Sequence, residues 1–254
     1  SFSKSIELKN LCFRYSKDSP WVLKNINLKI PKNSVIGIIG TTGCGKSTLL
    51  DVIMGLLSPT SGELRVDNQL IDSKNKRAWQ AHISHVPQSI FLADSTIQEN
   101  IAFGVVPEEV QESRVILAAQ LAQIAETINS LKNKYKALVG ERGVQLSGGQ
   151  RQRVCIARAL AVNPELIICD EAVSALDVSV QAQVLNLLKD LQSELGLTYI
   201  FISHDLSVVK FMSDMMAVMK SGRFVEFGPS ECIYKDPKNE YTKELIRSIP
   251  NVNI

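Results

Sequence analysis

Eight consecutive residues, Gly40-Thr41-Thr42-Gly43-Cys44-Gly45-Lys46-Ser47, have the types and spacing that bind phosphate. Phosphate oxygens need several donors converging from one side. Glycines let the backbone turn its N–H groups inward with no Cβ in the way. Lys46 can reach the outer phosphates as a mobile point charge. The Ser47 hydroxyl can take one position on Mg²⁺, which prefers oxygen ligands and keeps several waters. A second acidic constellation, Asp170-Glu171, ends the apolar run Leu166-Ile167-Ile168-Cys169. Two carboxylates at the mouth of a buried strand are costly without partners or a task. Asp170 is expected to hold Mg²⁺, directly or through water. Glu171 is expected to polarise the water that attacks a γ-phosphate. A third, Ser147-Gly148-Gly149-Gln150, opens a helix that carries Arg151, Arg153 and Arg158. Serine caps helix starts well, and two glycines leave backbone N–H groups bare, so this reads as a second anion site.

Those residues need elements to position them. The phosphate loop follows the apolar run Val35-Ile36-Gly37-Ile38-Ile39 and precedes an apolar, helical segment at 48–57. Strand, glycine turn and helix start is the context such a loop requires, and the helix adds unpaired N–H groups at its N-terminus. Before it, Leu11, Phe13 and Tyr15 alternate, as do Ile26, Leu28 and Ile30, which predicts a small antiparallel sheet with a turn at 16–20. A hairpin is expected around Asp67-Asn68, and a short strand over 82–87 ending at Gln88. The stretch 115–131 has good helix formers and no breaker, so it reads as one helix. A helix is expected from Ser147 to about Ala161, stopped by Asn163-Pro164. Residues 166–169 and 198–202 are continuous apolar runs, the mark of strands buried on both faces. Between them apolar residues at 180, 184, 187, 188, 191 and 195 give helix spacing that Gly196 stops. A hairpin at 216–219 and 224–227, around Ser221-Gly222, and a short helix at 241–249 complete the pattern.

Alternating strands and helices imply a mainly parallel sheet with right-handed crossovers. Such sheets bind ligands at the carboxyl ends of their strands. Four candidate positions fall there: 40–47, Gln88, 170–171 and His204. His82 and His85 have no such context and read as structural.

The bulk properties narrow the class. The chain has 254 residues, 45% hydrophobic and 21% charged, as a folded soluble α/β protein would. A net charge of +2 with no long basic block gives no sign of a nucleic-acid partner. No apolar run approaches the roughly 20 residues that cross a bilayer. The first residues, Ser1-Phe2-Ser3-Lys4, hold neither a signal segment nor an initiating methionine, which suggests a fragment, an expression remnant or processing. Cysteines 12, 44, 155, 169 and 232 show neither metal spacing nor a secreted framework, so a reducing cytosol is the expected setting. Cys44, inside the loop beside a helix N-terminus and Lys46, is expected to be a reactive thiol.

With those motifs in hand, the chain resembles the nucleotide-binding domain of an ABC (ATP-binding cassette) transporter over nearly its whole length. Gly40 to Ser47, with Thr48 behind it, resembles the family's Walker A loop, and Tyr15 sits where its members stack an aromatic ring on adenine. Gln88 matches the glutamine that senses Mg²⁺ and the transmembrane partner. Leu146-Ser147-Gly148-Gly149-Gln150 is similar to the family signature. Residues 166–170 resemble Walker B, with Glu171 the implied catalytic base and Ser47, Gln88 and Asp170 the implied metal ligands. Ser174-Ala175-Leu176-Asp177 resembles the D-loop, and His204 the switch histidine. The resemblance implies a P-loop NTPase core, an N-terminal antiparallel β subdomain and a helical subdomain. The division expected is 1–88 for the β subdomain and phosphate-loop part of the core, 89–162 for the helical subdomain, 163–228 for the rest of the core, and 229–254 for a tail. It implies ATP and Mg²⁺ as ligands, and a head-to-tail dimer with ATP between Walker A of one copy and the signature of the other. It also implies transmembrane partner domains and a cytoplasmic place on the inner face of a membrane.

The two halves resemble different branches. The run from Pro87 to Ile101, and Val139-Gly140-Glu141-Arg142-Gly143, look like exporter cassettes. From Asn163 onward, including Val178-Ser179-Val180-Gln181-Ala182-Gln183 and Glu240-Tyr241-Thr242-Lys243, the wording is similar to the ATPase subunits of oligopeptide importers. A chimera, natural or engineered, is one explanation and a single odd branch the other. Two rival functions accompany these: a soluble ABC ATPase outside transport, and a nucleotide-binding fold with little or no hydrolysis.

Overall fold

The computed structural model describes residues 2–140 and 146–248. The positions 141–145, and with them Glu141-Arg142-Gly143 of the exporter-like string, lie outside the described residues, as does 249–254. Strand β1 (Ser5–Phe13) pairs antiparallel with β2 (Leu23–Pro31). Strand β3 (Val35–Ile39) leads through the phosphate loop into helix α1 (Lys46–Ile53). The hairpin β4 (Ser61–Val66) and β5 (Gln69–Leu70) turns through Asp67 and Asn68, both at positive φ, a conformation that short polar side chains tolerate. Helix α2 (Lys76–Gln80) then leads to β6 (Ile83–Val86).

The middle of the chain is helical: α3 (Ile97–Ile101), α4 (Glu112–Leu121), α5 (Ala125–Ser130) and α6 (Gly148–Ala161). After it come β7 (Leu166–Asp170), α7 (Val178–Leu195), β8 (Thr198–Ile202), α8 (Leu206–Met212), β9 (Met215–Lys220) and β10 (Arg223–Pro229). Helices α9 (Ser230–Lys235) and α10 (Glu240–Arg247) end the described chain. Among the described residues no helix is long and apolar enough to cross a membrane.

Two sheets form. The smaller is antiparallel, ordered β2-β1-β4-β5, and the larger is ordered β10-β9-β3-β8-β7-β6. In the larger, β9, β3, β8, β7 and β6 run parallel and only the edge strand β10 is antiparallel. The side-chain period of two divides the central strands between two cores. Ile167, Cys169, Tyr199 and Phe201 face the core shared with α4 to α7. Leu166, Ile168, Ile200 and Ile202 face the core shared with the small sheet and α1. Each such fully buried side chain contributes roughly 1.5–3 kcal/mol. This is the expected α/β architecture: a mainly parallel core, an antiparallel β subdomain and a helical subdomain.

The helical part departs from the expectation. The helix expected over 115–131 is two helices, broken at Gln123, whose φ is 52°. The sequence offers no breaker there. The break is held from outside, because Arg153 on α6 donates to the Ala122 carbonyl at 3.3 Å and to the Gln123 amide oxygen at 3.0 Å. Helix α3 was not anticipated, although Thr96 and Glu99 form a complete capping box at its start. Helix α9 was likewise unexpected in the tail.

Replacing Arg153 by Met removes both donors from the break while keeping an apolar stem. The variant is expected to lose about 1–2 kcal/mol of stability, read from urea unfolding, with faster amide exchange confined to α4 and α5.

Candidate functional site

The phosphate loop leaves β3 at Gly40 and enters α1 at Lys46. Gly40, Gly43 and Gly45 have φ of 156°, 79° and 110°, which a side chain would strain. At Gly40 a Cβ would also lie 2.2 Å from the Met219 carbonyl oxygen of β9, so the loop rests directly on that strand. Gly45 is the N-cap of α1 and supplies no side-chain acceptor, and the first turn of α1 has no acidic residue. The N–H groups of that turn therefore point out of the helix without a competing anion. The Lys46 ammonium is buried beneath the loop, donating to the Gly40 carbonyl at 2.7 Å and the Thr41 carbonyl at 3.1 Å. Thr41, Thr42 and Ser47 are exposed, and Thr48 is buried with its hydroxyl 3.2 Å from that of Tyr15.

Tyr15 lies two residues beyond β1 and is 65% exposed. It is not the last core residue of its strand. Its ring stands edge-on to Phe13, with centroids 5.0 Å apart, which fixes the plane while leaving a face open.

Gln88, Glu171 and His204 follow β6, β7 and β8, three adjacent parallel strands. They meet at one carboxylate oxygen. Oε2 of Glu171 accepts from the Gln88 side-chain amide at 2.8 Å and lies 3.2 Å from Nδ1 of His204. Glu171 achieves this with φ of 47°, a left-handed conformation that costs a residue with a Cβ about 1–2 kcal/mol. Three hydrogen bonds offset it: the Glu171 N–H donates to the Ile202 carbonyl at 2.9 Å, and its carbonyl accepts from the N–H and hydroxyl of Ser174 at 3.1 and 3.0 Å. Backbone strain over-determined in this way is characteristic of functional positions.

Asp170 ends β7 half-buried. Burial pushes its carboxyl up, Glu171 and Asp51 add to the rise, and His85 and Lys46 oppose it. Asp51, on α1, is also raised by burial. His85, read from sequence as structural, thus shares the field of Asp170 and Asp51; desolvation pushes its pKa down while both carboxylates pull it up. Asp51 and His85 lie outside any motif; α1, which follows the phosphate loop, carries Asp51, and the pairing of β6 with β7, which sets His85 opposite Ile168, brings His85 to the site. Among the described residues no cluster of three or more His, Cys, Asp or Glu side chains has metal-site geometry, so a cation here would need donors from its ligand and from water.

The signature segment is elsewhere. Ser147 and Gln150 form a capping box at the start of α6, with Ser147 Oγ accepting from the Gln150 N–H at 3.3 Å and Gln150 Oε1 from the Ser147 N–H at 2.9 Å. Ser147 and Gly148 are exposed. Gly149 has a packing reason as well: a Cβ there would lie 2.6 Å from Val180 on α7. Among the described residues, no hydrogen bond links this segment to the phosphate loop of the same chain. The arginines of α6 do not gather at the anion site expected there. Arg151 donates to the Ile90 carbonyl at 3.1 Å and Arg158 to the carbonyls of Asn100 and Phe91 at 2.7 and 3.0 Å, so they tie the segment after Gln88 to α6. Asp177 caps α7, its carboxylate accepting from the Val180 N–H at 3.0 Å.

The arrangement amounts to an anion cradle beside a positioned carboxylate, with the signature surface facing outward. Known proteins resemble the chain as a whole. A family model described as ABC transporter matches residues 23–174. The oligopeptide transport ATP-binding protein OppF of Bacillus subtilis is 38% identical, covering 97% of this chain and 83% of that protein. OppF of Streptococcus pyogenes is 37% identical, covering 97% and 82%. Both alignments cross the exporter-like and importer-like parts. A solved structure of a bacterial Atm1-family ABC exporter with ATP bound superposes with a TM-score of 0.83 at 32% identity over 99% of this chain; the chain spans 43% of that exporter's length.

The structure corrects one expectation about reactivity. Cys44 is 5% exposed, its sulfur packed under Gly40 and 3.9 Å from Lys46 Nζ, so reagents have little access to it. Burial pushes the Cys155 thiol up and the Cys169 thiol to about 12, whereas Cys232 is exposed. With a thiol reagent Cys232 is expected to react first and Cys44 at least about tenfold more slowly. Mass spectrometry of partly labelled protein checks the order, and Cys44 labelling as fast as Cys232 would contradict it.

Proposed function

The chain belongs to the ABC transporter family, and from that premise we propose that it is a Mg²⁺-dependent ATP hydrolase acting as a head-to-tail dimer to drive a membrane transporter. The observation that carries the reading is the convergence of Gln88 and His204 on Glu171 Oε2, at the strand ends beside the phosphate loop. Loop N–H groups, the N-terminus of α1 and Lys46 would hold the phosphates. Tyr15 would stack on adenine, a contact worth about 1–3 kcal/mol by analogy with base–aromatic stacking. The exposed Ser47 hydroxyl, the Asp170 carboxylate and the Gln88 amide oxygen suit a hard cation that takes oxygen ligands. Mg²⁺ bound there would neutralise charge on the phosphate oxygens.

Glu171 then orients the attacking water and accepts its proton. His204 and Gln88 hold that carboxylate in one rotamer, so the water is aligned before reaction. The outward-facing Ser147 hydroxyl and Gly149 N–H would complete the γ-phosphate site of a second copy, with Asp177 near the dimer contact. This accounts for a signature remote from the loop of its own chain. Two bound ATP molecules would join the copies and hydrolysis would release them. The whole-chain similarity to oligopeptide transport subunits supports peptides as the cargo class and transmembrane domains as partners, at the cytoplasmic face of a membrane.

Purified wild type is expected to release phosphate from MgATP at steady state. Glu171→Gln should lower turnover at least about 100-fold while keeping ATP affinity and accumulating dimer on size exclusion. Lys46→Ala should instead weaken nucleotide binding. Rapid turnover by Glu171→Gln would remove Glu171 from the role of base.

A further inference from the structure

The phosphate loop has a partner that no loop motif contains. The Tyr241 hydroxyl, on α10, accepts from the Thr41 N–H at 3.1 Å and donates to Thr41 Oγ1 at 3.2 Å, across 200 residues of sequence. The Thr41 carbonyl accepts from Lys46 Nζ. Thr41 is therefore held on one side by the tail and on the other by the lysine that the loop surrounds.

Tyr241 is itself fixed. The Lys220 ammonium, at the end of β9, lies 4.5 Å from its ring centroid. The Tyr241 N–H donates to the Asn239 cap at 2.9 Å. The N–H groups of Lys238 and Asn239 donate to Glu226 of β10 at 2.8 and 3.1 Å, and Thr242 beside Tyr241 is fully buried. The start of α10 is thus anchored to the same β9–β10 hairpin whose Met219 carbonyl underlies Gly40. The hairpin and the tail clasp the first turn of the loop between them.

We propose that Tyr241 is a positioning residue for the phosphate loop, bracing Thr41 so that the loop is ordered before nucleotide arrives. The proposal rests on the loop being the nucleotide site. A glycine-rich segment has more backbone freedom to lose than any other, and ligand binding must bear that loss unless the protein has already done so. Two hydrogen bonds with a tethered tyrosine restrict Thr41 and engage only its own N–H and hydroxyl. Removing them weakens binding and leaves the chemical step, which belongs to Glu171, unchanged.

Tyr241→Phe deletes the hydroxyl and keeps the ring over which Lys220 sits. Amide exchange by mass spectrometry should show peptides covering 40–47 exchanging faster, with α10 peptides unchanged. Affinity for a fluorescent ATP analogue should fall about 3–10-fold, the size of one or two hydrogen bonds. KM for ATP should rise in proportion with kcat within about twofold of wild type. Unchanged loop exchange and affinity would overturn the proposal. So would faster exchange in α10 itself, because Tyr241 would then be holding the tail and not the loop. If wild type bound no nucleotide the functional reading would fall, and the exchange comparison would still decide the brace.

Discussion

The site depends on parallel hydrogen bonding between β3, β8, β7 and β6. Parallel register puts four carboxyl ends on one edge of the sheet, and each carries a chemical group: the phosphate loop, His204, Asp170-Glu171 and Gln88. The residues are far apart in the chain, and no local interaction could collect them. A slip of one residue in β7 would turn Asp170 and Glu171 to opposite faces and part Glu171 from Gln88. The apolar runs of β7 and β8 resist such a slip, because alternate residues are buried in two different cores.

That constraint bears on the mixed character of the sequence. The phosphate loop and Gln88 lie in the exporter-like part, Glu171 and His204 in the part resembling oligopeptide importers. The larger sheet interleaves them, with β3 beside β8 and β6 beside β7, so the two parts meet at two of the three steps across the site. The Gln88–Glu171 contact at 2.8 Å crosses the boundary within the site itself. The two halves of the chain share one core and one set of strand ends.

The helical region is tied to the site by side chains outside the site motifs. Arg151 and Arg158 reach carbonyls in the segment after Gln88, and the fully buried Asn100 adds bonds to Ala93 and Thr96. Gln88 stands at one end of this path, on Glu171, and Ser147 at the other. A run of contacts thus joins the Glu171 carboxylate to the start of α6.

The sequence by itself determined the strands, the phosphate loop, the signature cap and the hairpins. Each rests on local periodicity or on a residue whose backbone preference decides the turn, as Gly196 at φ of 61° ends α7. It also sufficed to place Gln88, Glu171 and His204 at strand ends, since each follows a recognisable strand. Only the tertiary structure decided that these three share one carboxylate oxygen, and that Glu171 takes a left-handed conformation to do so. Helix α4 ends where Arg153 satisfies the Ala122 carbonyl, although nothing in Leu121-Ala122-Gln123-Ile124 stops a helix. Cys44 is sealed by packing under Gly40, although its neighbours in sequence suggested a reactive thiol. Tyr241 meets Thr41 because β10 and the tail fold back over β9. Contacts between residues tens to 200 positions apart leave no local pattern, and they enter only when the sheet has set the distances.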